Sequence, residues 1–205
     1  KTPGGSSGSA YIDLGDDLVP VGVNAVSLEI WATQDSRGIY DRVFDFGSMP
    51  AGYDFRSYNT SCYSSDHIIM YWKSSPVSSF DLAGTWSMDV GRQYHIVASY
   101  QKGETGRWSV TYYVQPTDGS AALCKVSSSA PVGWSFDDVG RTEWLLGQAL
   151  TCWDSCAKIS YDEVRIWSRS LSESDFSENT QLGPDVLPGG AGLATYTITF
   201  DANGG

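Results

Sequence analysis

Residues Tyr161–Phe176 read YDEVRIWSRSLSESDF. In the first part, Val164 and Ile166 alternate with Glu163 and Arg165, the period of two in which successive side chains leave opposite faces of a strand. Carried back to Ile159, the pattern predicts a strand ending at Trp167. Asp162 and Glu163 are neighbours and are therefore expected on opposite faces. In the second part, Leu171–Phe176 is the one stretch with helical spacing, and Ser172 and Asp175 stand as the S-x-x-D of a capping box.

Outward from this segment the same period recurs. Strands are predicted over Tyr11–Leu14, Asn24–Ala32, Arg42–Phe46, Tyr53–Tyr58, His67–Trp72, Gln93–Tyr100, Trp108–Val114 and Trp144–Gly147, separated by clusters of Gly, Asp, Ser and Pro. Many short strands and one helical turn indicate an all-β sandwich or barrel. Trp31, Trp144 and Trp167 lie within strand motifs and are assigned to the core. From about Gly183 the composition turns to Pro and Gly, a flexible linker over 183–193. Alternation then resumes at Ala194, which predicts that 194–205 opens another unit, while 1–9 is Gly/Ser-rich linker and 10–182 is one domain.

With 205 residues the chain is long enough for one all-β domain with a sizeable core. The formal net charge of −11 argues against nucleic acid and anionic membranes, whose binders need clustered Lys and Arg. No apolar run approaches the roughly 18 residues of a membrane helix, so no membrane insertion is expected. Asp outnumbers Glu, which suits turns and hard-cation sites better than helices. Four cysteines, Cys62, Cys124, Cys152 and Cys156, fit an oxidising, extracellular setting. Cys152 with Cys156 is the expected bridge, and the pairing of Cys62 and Cys124 stays open. Zinc is not expected, because His67 and His95 lack ligand-like spacing to these cysteines.

Four segments in order resemble the bacterial LamG-like jelly-roll family, relatives of concanavalin A-type lectins, glucanases and pentraxins. They are YIDLGDD (Tyr11–Asp17), VSLEIWA with RVFDFG (Val26–Ala32 and Arg42–Gly47), YHIVASY (Tyr94–Tyr100) and YDEVRIWSRSLSESDF. The resemblance implies a two-sheet antiparallel jelly-roll sandwich, concanavalin A-like or laminin G-like, with its first and last strands side by side. TYTITFDANGG (Thr195–Gly205) resembles the opening of the Listeria/Bacteroides-type repeat, which implies a multidomain bacterial surface or secreted parent.

Glucan-hydrolysing relatives carry an E-x-D-x-x-E strand whose alternate acids straddle the glycosidic bond. This chain has no such strand, and Glu29 stands alone in its own. No catalytic residue is assigned, and the chain is expected not to be an enzyme. In related glucanases the acid before the closing strand binds calcium. The matching Asp162, with Asp13, Asp16 and the Gly15 carbonyl, is expected either to hold a structural calcium ion or, for Asp162, only to accept hydrogen bonds from backbone N–H groups. Sugars are held by aromatic faces together with planar polar side chains. The candidates are Tyr53, Tyr58, Tyr63, Tyr71, Trp72, Trp86, Trp134 and Trp153, each of which has core or loop packing as its alternative. The expected function is a carbohydrate-binding or adhesion module at the cell surface, its partner a glycan or a host or cell-surface protein. The alternatives are a spacer or protein-binding module in a surface stalk and, behind both, a glycoside hydrolase.

Overall fold

The alternation in NAVSLEIWA places Val26, Leu28, Ile30 and Ala32 on one face, and all four are buried in the principal core. The same logic builds the rest of the fold. The computed structural model describes residues 11–16, 18–36, 38, 41–48, 53–62, 65–72, 88–130, 132–133, 135–139, 143–148, 156–189 and 195–198, with 47–48, 53–62, 65–72, 138–139, 143 and 195–198 described by their backbone. Among these residues the strands are β1 (Ile12–Asp13), β2 (Ala25–Ser36), β3 (Arg42–Ser48), β4 (Tyr53–Cys62), β5 (Ser65–Trp72), β6 (Gln93–Lys102), β7 (Trp108–Pro116), β8 (Cys124–Ser129), β9 (Glu143–Leu146), β10 (Lys158–Trp167) and β11 (Thr195–Ile198). The helices are α1 (Phe136–Val139) and α2 (Glu173–Leu182).

Two antiparallel sheets result. One has the order β1-β9-β3-β4-β5, the other β11-β10-β2-β6-β7-β8. Between them lie Phe44, Phe46, Trp144 and Leu146 from the five-stranded sheet and Ile96, Tyr100, Tyr112, Val164 and Ile166 from the six-stranded sheet. Phe46 stacks on Trp144 with ring centroids 4.1 Å apart. α1 turns Phe136 into this aromatic cluster, beside Phe46, Tyr100 and Trp108. This is the all-β, two-sheet sandwich expected.

Two features depart from the sequence reading. β8 was not foreseen, because CKVSSS lacks the apolar alternation that marked its neighbours. The helix at Ser172 runs a full 10 residues, Glu173–Leu182. Its capping box forms as expected, with Ser172 accepting from the Asp175 backbone and Asp175 accepting from that of Ser172, and Gly183 closes it at φ 80. Where alternation resumes, Thr195–Ile198 forms an edge strand of the six-stranded sheet, in register with Val164–Trp167.

Candidate functional site

In an unbroken strand, Tyr161 and Glu163 would share a face. A register shift between them makes Asp162 the extra residue of a β-bulge. Tyr161 consequently turns inward, where its hydroxyl donates to the Val43 carbonyl at 2.6 Å. Glu163, Arg165 and Trp167 turn outward, opposite Trp31, Glu29 and Ser27 of β2. Trp31 and Trp167 are buried as expected, but on the face away from the main core.

Helix α2 covers this outward face. Phe176, fully buried, stacks on His95 at 4.3 Å, and His95 stacks in turn on Trp31 at 4.1 Å. At the centre lies Glu29, with no exposed surface. Its Oε1 accepts from His95 Nε2 at 2.9 Å and from Asn179 Nδ2 at 2.7 Å. Its Oε2 accepts from Trp167 Nε1 at 2.8 Å and faces Arg165 Nη1 at 3.6 Å. Burial, the largest influence, holds the His95 pKa below its ordinary value against the opposing pull of Glu29. The neutral imidazole therefore donates its Nε2–H to the carboxylate, and its Nδ1 lies 2.7 Å from Thr180 Oγ1, whose hydroxyl donates to the Phe176 carbonyl at 2.7 Å. The solitary Glu29 of the sequence is thus the buried anchor of α2, satisfied on all sides.

The five-stranded sheet sorts the aromatic candidates by register. Phe46 is paired with Phe55, and Phe55 with Trp72, so Trp72 stands in a core-facing row, as does Tyr53 two residues from Phe55. Asp45 is paired with Arg56, and Arg56 with Tyr71, so Tyr71 stands in an outward row. Tyr58, opposite Arg42 and Ile69, stands in the next outward row. Tyr58 and Tyr71 are therefore diagonal neighbours, about 7–8 Å apart along the sheet. Beside them, Arg42 and Asp45 form a buried ion pair at 3.5 Å. Tyr63, Trp86, Trp134 and Trp153 lie outside the described residues.

The model of the concanavalin A-like lectin/glucanases superfamily, Laminin_G_3, matches residues 6–177. The chain belongs to this superfamily. Among solved structures, a native heptameric SAP-like pentraxin from Limulus polyphemus is similar at TM-score 0.50 and 10% identity, covering 86% of this chain and 78% of that one. A PL-14 alginate lyase from Aplysia kurodai is similar at 0.48 and 11%, covering 80% and 79%. A functionally unknown protein from Saccharomyces cerevisiae is similar at 0.44 and 13%, covering 76% and 71%. At these identities the likeness concerns the superfamily fold alone. No curated protein matches the chain.

Within that fold the expected neighbourhood of Asp162 is different. β10 lies between β2 and β11, whereas β1 pairs with β9 in the other sheet, so the first and closing strands are not adjacent. Exposed Asp162 accepts from the Gln93 side-chain Nε2 at 2.8 Å. Asp13 accepts from the Gly15 backbone N–H at 2.8 Å, an Asx turn that leads to exposed Asp16. Among the described residues, no three His, Cys, Asp or Glu side chains converge as a metal site would require. Cys156 is buried just before β10, and its expected partner Cys152 lies outside the described residues. Cys124 opens β8 as a half-buried thiol whose pKa is raised by burial. An apolar recess lined by Leu18, Val19, Pro20, Val23, Ile166 and Trp167 carries no carboxylate or amide side chain to orient a sugar.

Proposed function

We propose that the chain is a non-catalytic carbohydrate-binding or adhesion module of a larger bacterial secreted or surface protein, and that it holds its glycan on the outward face of the five-stranded sheet. One observation carries this reading. α2 covers the outward face of the six-stranded sheet at β2, β6 and β10, while the strand register gathers Tyr58, Tyr71 and Arg56 in the outward rows of β4 and β5 in the other sheet. Two tyrosines at diagonal positions beside the Arg56 position fit what sugars require: flat apolar faces and planar hydrogen-bonding groups.

The chemistry of the other face favours binding over hydrolysis. Glu29 and Glu163 both contact Arg165, but Glu29 has no solvent exposure and its oxygens are occupied by fixed donors. A glycosidase needs its two carboxyl groups free on either side of a sugar-sized groove. The test is a glycan array followed by calorimetry on the full chain, run with calcium and with a chelator, and repeated on the Tyr58→Ala/Tyr71→Ala double variant. The reading predicts a saccharide ligand whose affinity falls roughly tenfold or more in the variant, about 1.4 kcal/mol per decade. Full affinity in the variant removes this face from the site, and a blank array with a bound surface protein favours the spacer or protein-binding role. Release of new reducing ends from the bound glycan makes the protein a hydrolase.

A further inference from the structure

Helix α2 meets the six-stranded sheet through few side chains. Phe176 and Asn179 are its buried residues, while Glu173, Ser174, Ser177, Glu178 and Gln181 are exposed. Phe176 stacks on His95 at 4.3 Å, Thr180 Oγ1 lies 2.7 Å from His95 Nδ1, and Asn179 shares Glu29 Oε1 with His95 Nε2. Each of these inward contacts ends on His95 or on the carboxylate oxygen that His95 holds. The ion pairs Lys125–Glu173 at 2.9 Å and Arg169–Asp175 at 2.8 Å lie at the rim, where solvent weakens them. Beneath the helix, Val97, Tyr113, Trp167, Leu171 and Phe176 form a cluster separate from the principal core between the sheets, so α2 can leave without opening that core.

We propose that α2 is an acid-released cover: as pH falls, Glu173–Leu182 lifts from β2, β6 and β10 and bares Trp31, His95 and Trp167, while both sheets keep their pairing. The joint is the imidazole, which has no exposed surface and lies between the Trp31 and Phe176 rings at 8° and 5° to their planes. The charged groups facing it are Glu29 on β2 and Arg165 on β10, the latter forked onto Glu163. α2 brings neutral Asn179 and Thr180, while β7 sets Gln115 opposite His95 in register and Tyr113 against Phe176. Thr180 Oγ1 is an acceptor within reach of a second N–H, so hydrogen bonding does not oppose a charge on the ring. Exclusion of water does, aided by Arg165, and it outweighs the pull of Glu29, whose carboxylate also serves Asn179, Trp167 and Arg165. Once the helix lifts, His95 is hydrated and takes a proton below about pH 6.5. Opening is thereby linked to proton uptake, and the open fraction grows by up to roughly tenfold per pH unit below that value until the seated imidazole itself titrates.

Amide exchange on the full chain, corrected for the intrinsic effect of pH, tests the cover. Between about pH 7 and about pH 5, opening at Phe176–Leu182 should rise roughly tenfold or more relative to Ile96–Ala98 of β6. Asp175, whose carboxyl Arg169 holds at about 2, keeps its charge over that range, so the capping box is not what lets go. In His95→Gln, which cannot take the proton, α2 should open to the same extent at both pH values. Should that variant not fold, the His95 ring signals of the parent serve instead, and they should take on the charged form in step with the loss of α2 protection. Protection of α2 that is equal at both pH values, that falls together with β6, or that falls as much in folded His95→Gln overturns the proposal, as does a ring that charges while α2 stays protected.

Discussion

Glu29→Gln is the substitution on which the account of the outward layer can be tested hardest. The carboxylate faces four donors: His95 and Asn179 on one oxygen, Trp167 and Arg165 on the other. A glutamine of the same shape presents one oxygen and one NH2 group. Whichever way the amide turns, two buried donors then confront a donor, and Arg165 keeps only Glu163 as its anion. Removing one partner of a buried, hydrogen-bonded pair costs about 3–5 kcal/mol. That is a large part of the 5–15 kcal/mol typical of a folded domain. Urea unfolding followed by tryptophan fluorescence should show the unfolding free energy falling by that amount, through a lower midpoint with the slope unchanged. Glu173→Gln is the control. It removes the exposed Lys125–Glu173 pair at 2.9 Å and should leave the unfolding midpoint almost where it is in the parent. A Glu29→Gln variant within about 1 kcal/mol of the parent would mean that the carboxylate is neither sealed nor saturated, and the anchor role of Glu29 would fall.

Phe176→Ala removes the ring between His95 and Tyr113 and should cost about 3–5 kcal/mol by calorimetric melting, with the loss concentrated in α2. Because burial holds His95 neutral, the unfolded chain binds the extra proton below about pH 6.5, so stability should decline as pH falls through that value and level off at the lower folded pKa. The slope in the parent minus that in His95→Gln isolates this residue, and equal slopes would refute the neutral assignment. Asp175 runs the other way among acids: the Arg169 side chain, and then Ser172, lower its pKa from 3.8 to about 2. Its contribution is present above pH 3.8 and is lost as pH falls toward 2, a decline that Asp175→Asn should abolish in an acid titration followed by circular dichroism.

The two-sheet fold was legible because burial on one face imposes a period of two, and nearly every strand with that pattern formed. β8 escaped because its exposed positions carry Lys125, Ser127 and Ser129 and its half-buried ones include Cys124 and Ser128, so polarity does not alternate with burial. The helix was underestimated because Glu178–Gln181 is polar, although Asn179 is buried for its hydrogen bond to Glu29 and not for its hydrophobicity. The bulge at Asp162 is the most consequential feature that was missed. One extra residue sends Glu163, Arg165 and Trp167 to the outward face, and no local composition announces it. For the same reason the aromatic candidates could not be sorted: Tyr71 and Trp72 are adjacent in sequence, and only their pairing to Arg56 and Phe55 assigns them to opposite faces. The expectation of adjacent first and closing strands came from the family resemblance, and the pairing of β1 with β9 replaces it.

The most direct measurement is a crystal structure of the full chain soaked with the best saccharide from the glycan array. The account predicts the sugar on the outward side of β4 and β5, against Tyr58 and Tyr71, with α2 still seated over Glu29. A sugar lodged instead in a groove between two carboxyl groups, or beneath a displaced α2, would contradict it.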